Sequence, residues 1–274
     1  MVRMVACCMA VLGSLLTVLV SPATAGAAGV GLPSSMAAAG DSITRAFDVT
    51  GGCFLRDCPE FSWSTGDRPE VSSQYLRILA RNPAIAQRAY NDARTGARMA
   101  DLDGQLQLAA LEQVDYLTLA MGANDVCTSS RSTMTPTETL RAQAQQAIAR
   151  FSAARPRALI YMSSIPNVYN LWSIMYNNGH ARWDWWLYKI CQSLLSVSNT
   201  EADREAVLAQ TVADNQALAA VCGQYANCRW DGLAAFNLQF TPEDISTVDY
   251  FHPSVAGQNH IATLTWAMSY WPAL

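Results

Sequence analysis

The sequence predicts an α/β fold in which a parallel sheet is covered by helices on both faces. Short apolar runs bounded by turn residues, at Met36–Ala39, Tyr116–Met121 and Ala158–Met162, read as buried strands. Longer stretches with helical spacing fall between and after them, at Leu102–Leu111, from Thr135 to Ala154 and at Glu201–Val221. Strands that alternate with helices of this length imply crossover connections, and crossovers imply a parallel sheet. The chain of 274 residues, 51% hydrophobic and 15% charged, is long enough to bury one full core.

The chain opens with Arg3, an apolar run from Val5 to Val20, the breaker Ser21-Pro22 and the small-residue triplet Ala23-Thr24-Ala25. That order is the pattern of an export signal. Residues 1–25 are therefore expected to be removed, 26–35 to form a flexible leader, and 36–274 to fold as a single domain. The apolar run is short for a membrane anchor, so no stable insertion is expected after cleavage. Met36–Ala39 is the first strand. Thr44–Pro69 has no period and is rich in Gly, Cys, Pro and Asp, as in a long functional or stapled loop. Val71–Leu79 has helical spacing with a stop at Asn82-Pro83, and a weak strand follows near Ile85–Tyr90. A polar turn region leads through Gly96 to the amphipathic Leu102–Leu111. After the strand at Tyr116–Met121, Thr135-Pro136-Thr137-Glu138 has the form of an N-cap, an N1 proline and a capping box. That helix should stop at Arg155-Pro156, before the strand at Ala158–Met162. Ser198-Asn199-Thr200 opens a helix over Glu201–Val221, and the last helix should run from Pro253-Ser254 to about Trp271. No internal repeat or low-complexity linker interrupts the series.

The formal net charge of −4 provides no footprint for nucleic acid. Lys189 is the only lysine, which excludes lysine chemistry elsewhere. Beyond the signal lie six cysteines, Cys53, Cys58, Cys127, Cys191, Cys222 and Cys228. An even number behind an export signal points to disulfides in an oxidising compartment, although six cysteines allow fifteen pairings. Nearness in sequence suggests Cys53–Cys58 and Cys222–Cys228, leaving Cys127–Cys191 as a long tie. The rival reading, a zinc site, lacks a Cys-x-x-Cys knuckle.

Gly40-Asp41-Ser42 follows the first strand, where ligands of open α/β sheets bind. Gly40 permits a tight turn and Ser42 is then presented from a loop, although the tripeptide alone is also an ordinary turn. A serine nucleophile needs a base and a group that orients the base. His180 lies in a polar, aromatic stretch and His260 inside the last helix, whereas His252 lies just before that helix, three residues after Asp249. A carboxylate there can reach around a turn and fix the imidazole tautomer. Asn124, after the strand ending at Met121, offers a neutral side-chain amide, and Gly96 offers an unobstructed backbone N–H. Both are suitable donors for an oxyanion.

Taken together, Ser42 within Gly40-Asp41-Ser42, Gly96, Asn124 within Gly122-Ala123-Asn124-Asp125, and His252 within Asp249-x-x-His252 resemble the four marker blocks of the SGNH, or GDSL, serine hydrolases. The blocks occur in order from about residue 37 to 254. The resemblance implies a three-layer α/β/α sandwich of flavodoxin-like type with a five-stranded parallel sheet. It implies an esterase or lipase without metal or cofactor, acting on a small-molecule or lipid ester through an acyl-enzyme; with the export signal, the enzyme is expected to be secreted or envelope-associated, and a monomer. It further implies Ser42 as nucleophile, His252 as base and then acid, and Asp249 as orienter, with the Ser42 N–H, the Gly96 N–H and the Asn124 side chain as oxyanion hole. Ile43 stands where the family usually has leucine. Phe61–Gly66, the run Asn91–Leu102 and Cys127 look like the phospholipase B-type branch. Two other readings use the same features: a lipid- or glycan-binding module without turnover, and an acyltransferase. The aromatic stretch Pro166–Tyr188, with Trp172, Trp183, Trp185 and Trp186, reads either as a lid or acyl-chain wall or as an excursion whose rings fill a satellite core. Arg45, Arg56, Arg94 and Arg98 lie near the catalytic edge, for an anionic group or for nearby aspartates.

Overall fold

Five short strands pair in parallel in the order β2-β1-β3-β4-β5: β1 (Met36–Gly40), β2 (Ala89–Asn91), β3 (Tyr116–Ala120), β4 (Leu159–Met162) and β5 (Cys228–Trp230). The computed structural model describes Met1 and residues 30–274, so the rest of the export signal and residues 26–29 of the leader lie outside the described residues. Gly31–Leu274 form one compact unit.

Alternate strand residues face opposite sides of the sheet, and the two sides are covered differently. Ala37, Leu117, Leu119, Ile160 and Met162 pack with helices α2 (Leu102–Leu111), α4 (Thr137–Ala154) and α8 (Glu201–Cys222). Met36, Tyr116 and Tyr161 pack on the other side with α1 (Gln74–Leu79), α10 (Val255–Met268) and the buried Trp63. This is the three-layer sandwich with a five-stranded parallel sheet. The connections between these elements carry the one-turn α3 (Ala123–Val126), the pair α5 (Val168–Met175) and α6 (Gly179–Leu187), and the short α7 (Gln192–Leu195) and α9 (Ala234–Asn237). The sheet order reverses between β1 and β3, and ligands of such sheets bind outside the strand carboxyl ends at that switch.

Several elements differ from the sequence reading for local reasons. Helix α1 begins at Gln74 rather than Val71, because the Ser73 hydroxyl accepts from the Leu76 N–H and caps it there. Ile85 belongs to a one-turn 3₁₀ segment opened by Pro83, which leaves only three residues for β2. Helix α4 has no capping box. Pro136 is itself the extended cap residue, Thr135 donates its N–H to the Asp125 carbonyl, and Glu138 pairs with Arg141. Thr200 does form the expected cap of α8, reciprocated by Asp203. The last helix stops at Met268, three residues before Trp271, which turns back into the core against Tyr116.

The structure pairs Cys53 with Cys58, Cys127 with Cys191 and Cys222 with Cys228. The second bridge spans 64 residues and ties α3 to the segment that follows α6. Cross-linking a loop of that length removes unfolded-state entropy worth up to about 4 kcal/mol. Replacing Cys127 and Cys191 together by Ala is expected to lower stability by several kcal/mol and to reduce activity as well. Urea unfolding and ester hydrolysis on the same samples check both.

Candidate active site

Ser42 sits at the first turn beyond β1, and its position follows from Gly40. A Cβ at residue 40 would lie 2.4 Å from Thr44 Oγ1 and 2.6 Å from the Ala120 carbonyl oxygen. Only glycine lets the two strand ends and the loop approach this closely. Gln105 holds the strand end from α2, accepting from the Gly40 N–H at 2.8 Å and donating to its carbonyl at 2.9 Å. Asp41 accepts from the Ile43 N–H at 3.0 Å, and its burial pushes its carboxyl up to about 6. The motif residues Trp63, Thr65 and Asn91 brace this same loop. Gln258 on α10 accepts from the Trp63 N–H at 2.9 Å and donates to the Ile43 carbonyl at 2.8 Å. Asn91 donates to the Thr44 carbonyl at 3.0 Å and to the Thr65 hydroxyl at 2.9 Å.

His252 reaches Ser42 from the other end of the chain, with Nε2 2.8 Å from Ser42 Oγ. Its Nδ1 contacts Asp249 Oδ2. The other Asp249 oxygen accepts from the N–H groups of Phe251 at 2.9 Å and His252 at 3.0 Å, which locks the turn. With the ring proton drawn to Nδ1 by the carboxylate, Nε2 is an acceptor and the Ser42 hydroxyl donates to it. All three residues are buried, at 7%, 9% and 4% exposure for Ser42, His252 and Asp249. Burial opposes the charged imidazolium, but the Asp249 carboxylate, supported by Asp41 and Asp48, outweighs it and raises the His252 pKa. Burial likewise opposes the Asp249 carboxylate, yet His252 and the two backbone donors hold its pKa below the ordinary value. Phe47 and Phe251 pack edge-on against the imidazole, with ring centroids at 5.2 and 5.0 Å.

The donors expected from the sequence fall on the same side of the sheet. Gly96 follows β2 with φ of +79° and open space where a Cβ would point. Asn124 lies on α3 just beyond β3, and its amide donates to the Ala97 carbonyl at 3.0 Å, which fixes it beside the Gly96 loop. Gly122, with φ of +121°, makes the turn into α3 where any Cβ would strike Ile165. Beneath it, Asp125 accepts from the Met99 N–H at 2.9 Å and is raised by its burial.

His180 and His260 lie apart from this group. His180 stacks on Tyr250, and His260 Nδ1 is 3.3 Å from Asp244. Arg45 pairs with Asp57 and Arg94 with Asp101, so these two of the four arginines are bridged to aspartate. Asp48 was missed by sequence reasoning. It is 2% exposed in the aperiodic loop, with a left-handed φ of 53°, and nothing in the local pattern marks it. One of its carboxylate oxygens lies within 4.8 Å of ligand atoms of both Asp249 and His252. These are metal-ligand types, but the Nδ1 of His252 is already engaged by Asp249.

Narrow apolar cavities open beside the serine. One of about 50 Å³ is lined by Ile43, Ala123, Leu171, Phe240 and Phe251, and another of about 40 Å³ shares Ile43 and Phe240. A roomier one of about 290 Å³ is lined by Phe47, Asp48, Asp249 and His252 among others. Larger hollows near Arg150 and near Ser130 touch none of these residues. From the aromatic stretch, Val168 and Leu171 reach the first apolar cavity, whereas Trp172 and Trp185 pack in a satellite core and Trp183 and Trp186 are exposed. Trp185 also donates its indole N–H to the Tyr250 carbonyl at 3.1 Å, bracing the turn that carries His252.

A family profile described as "GDSL-like Lipase/Acylhydrolase" matches residues 36–265. The fold is similar to an extracellular lipase from Streptomyces rimosus (17% identity, TM-score 0.52, covering 86% of this chain and 99% of that one). It is also similar to a protein from Parabacteroides merdae described as a GDSL-like lipase (14% identity, TM-score 0.54, 85% and 94% covered). A third similar structure is phospholipase A1 from Streptomyces albidoflavus (14% identity, TM-score 0.50, 86% and 99% covered). No curated protein matches the sequence significantly.

Proposed function

Because the chain belongs to the GDSL-like lipase/acylhydrolase family and is a carboxylic ester hydrolase, we propose that it works through an acyl-enzyme on Ser42. The observation that carries this reading is the continuous contact from Ser42 Oγ through His252 to the Asp249 carboxylate. In the first half-reaction Ser42 Oγ bonds to the ester carbonyl carbon as its proton passes to His252 Nε2. The carbonyl oxygen becomes an oxyanion that accepts hydrogen bonds from the Ser42 and Gly96 N–H groups and the Asn124 amide. The carbon–alkoxy bond then breaks and the leaving alcohol takes the proton from Nε2. In the second half, water gives a proton to Nε2 as its oxygen attacks the acyl carbon. The bond to Ser42 breaks, the proton returns to Oγ, and the products are a carboxylic acid and an alcohol. Asp249 holds the ring tautomer and stabilises the imidazolium in both halves.

The apolar cavity beside Ile43 suits an alkyl acyl chain. The three disulfides and the export-type N-terminus favour a secreted or envelope-associated, monomeric enzyme whose hydrolase domain spans 36–274. An aryl alkylphosphonate should label the protein once, with the adduct on the Ser42 peptide by mass spectrometry. Labelling elsewhere, or none, would remove Ser42 from the nucleophile's role.

A further inference from the structure

His252 is the group that returns a proton to the leaving alcohol, so the alcohol portion of the ester must depart next to it. The cavity that His252 itself lines is the one of about 290 Å³, and its lining is unlike that of the apolar cavities. Three aromatic rings, Phe47, Phe54 and Tyr188, contribute to it together with Asp48 and Asp249. Both oxygens of Asp249 are engaged, by the His252 ring and two backbone N–H groups. Asp48 is different. One oxygen accepts from the Leu55 N–H, the Arg56 N–H is the second backbone donor near the carboxyl, and no side chain of the described residues donates to it, while the residue lines the cavity. Its carboxyl is raised by its burial and then by the Asp249 charge, which outweigh the Leu55 and Arg56 N–H groups and the His252 charge that oppose them.

Apart from His252, whose imidazolium Asp48 helps to stabilise, the nearby cations are directed elsewhere. Arg56 donates to the Gly52 carbonyl, Arg45 pairs with Asp57, and the Lys189 ammonium lies 5.1 Å from the centre of the Trp186 ring. The charge of Asp184 also reaches Asp249, which deepens the negative potential. A buried carboxylate and aromatic faces together are the chemistry that recognises an organic cation, because the ring quadrupole and the charge attract the same group.

Resting on the hydrolytic reading above, we propose that this cavity receives the alcohol portion of the ester and selects one bearing a quaternary or protonated amine, with Asp48 as the specificity-determining residue. A neutral alcohol of the same shape gains no attraction from Asp48, and an anionic one is repelled by it.

Butyrylcholine and 3,3-dimethylbutyl butyrate test this directly, since they share size and shape and differ by one charge. The expected kcat/KM favours the cationic ester by at least about tenfold, and Asp48→Asn brings the ratio to within about twofold of one. Asp48→Glu should keep part of the preference. Calorimetry on Ser42→Ala reads the same preference in binding alone. Equal kcat/KM for the two esters overturns the cationic subsite while leaving ester hydrolysis standing, as does a ratio unmoved by Asp48→Asn. Preferential binding of the cationic ester to Ser42→Ala, with no hydrolysis of either ester by the natural protein, upholds the subsite and defeats the hydrolytic reading instead.

Discussion

Replacing Ser42 by Ala is expected to lower turnover of 4-nitrophenyl butyrate by roughly 10⁴- to 10⁶-fold, the loss seen when a nucleophile acting as one unit with its base is removed. The fold should survive, because the backbone around residue 42 is held without the hydroxyl. The Ser42 carbonyl accepts from the Phe47 N–H at 3.0 Å, and Gln258 and Asn91 hold the neighbouring carbonyls of Ile43 and Thr44. Among the described residues, the side-chain bond lost is the one to His252. Activity and the midpoint of urea unfolding, measured on the same preparation, separate a chemical defect from a structural one. A variant that retains more than about one per cent of turnover would show that another group carries the attack.

Asp249→Asn is expected to cost about 10³- to 10⁴-fold in kcat, again with little change in fold. An asparagine amide presented to Nδ1 forces the ring proton onto Nε2, where it faces the Ser42 hydroxyl and cannot accept from it. The pH profile adds a second readout. Hydrolysis needs neutral His252, and the imidazolium is stabilised above its ordinary range of about 6.5 by Asp249, Asp41 and Asp48 against the opposing effect of burial. The acidic limb of kcat/KM is therefore expected to have its midpoint above 6.5, with activity lost as the pH falls through it. In Asp249→Asn one stabilising charge is gone, so the residual activity should lose its acidic limb at a lower pH. A loss of less than tenfold, with an unmoved limb, would assign the orienting role to a different acceptor.

The parts of this architecture visible in the sequence are those written in local pattern. Leu102–Leu111 has its helical period, and α2 occupies those same residues. Tyr116–Ala120 is an apolar run too short for a helix, bounded by Asp115 and Gly122. The loops carrying Ser42, Gly96, Asn124 and His252 were legible because each is tied to a strand end or helix start. What stayed hidden depends on contacts distant in sequence. β5 is three residues long, Cys228-Arg229-Trp230, and no period can be read in three residues. The α4 capping box failed because Thr135 and Glu138 have partners, Asp125 and Arg141, that compete with it. Asp48 matters only because a chain segment 200 residues away brings Asp249 to it. The tryptophans left a wall for the substrate and a satellite core equally open, and Trp185 and Trp172 pack together in such a core behind the His252 turn, at a centroid distance of 6.1 Å.

The 210 residues that separate Ser42 from His252 have a consequence for when chemistry begins. The chain is made from the end that bears the serine, and domains tend to fold as units behind synthesis. A growing polypeptide therefore displays its attacking hydroxyl long before the imidazole exists. Gln258, which clamps Trp63 and Ile43, arrives even later, on α10. Until that last helix docks, the serine is an ordinary alcohol, and its loop lacks the clamp. On the proposed mechanism, a product cut short before residue 252 is expected to be inert toward acyl esters however well its sheet has formed.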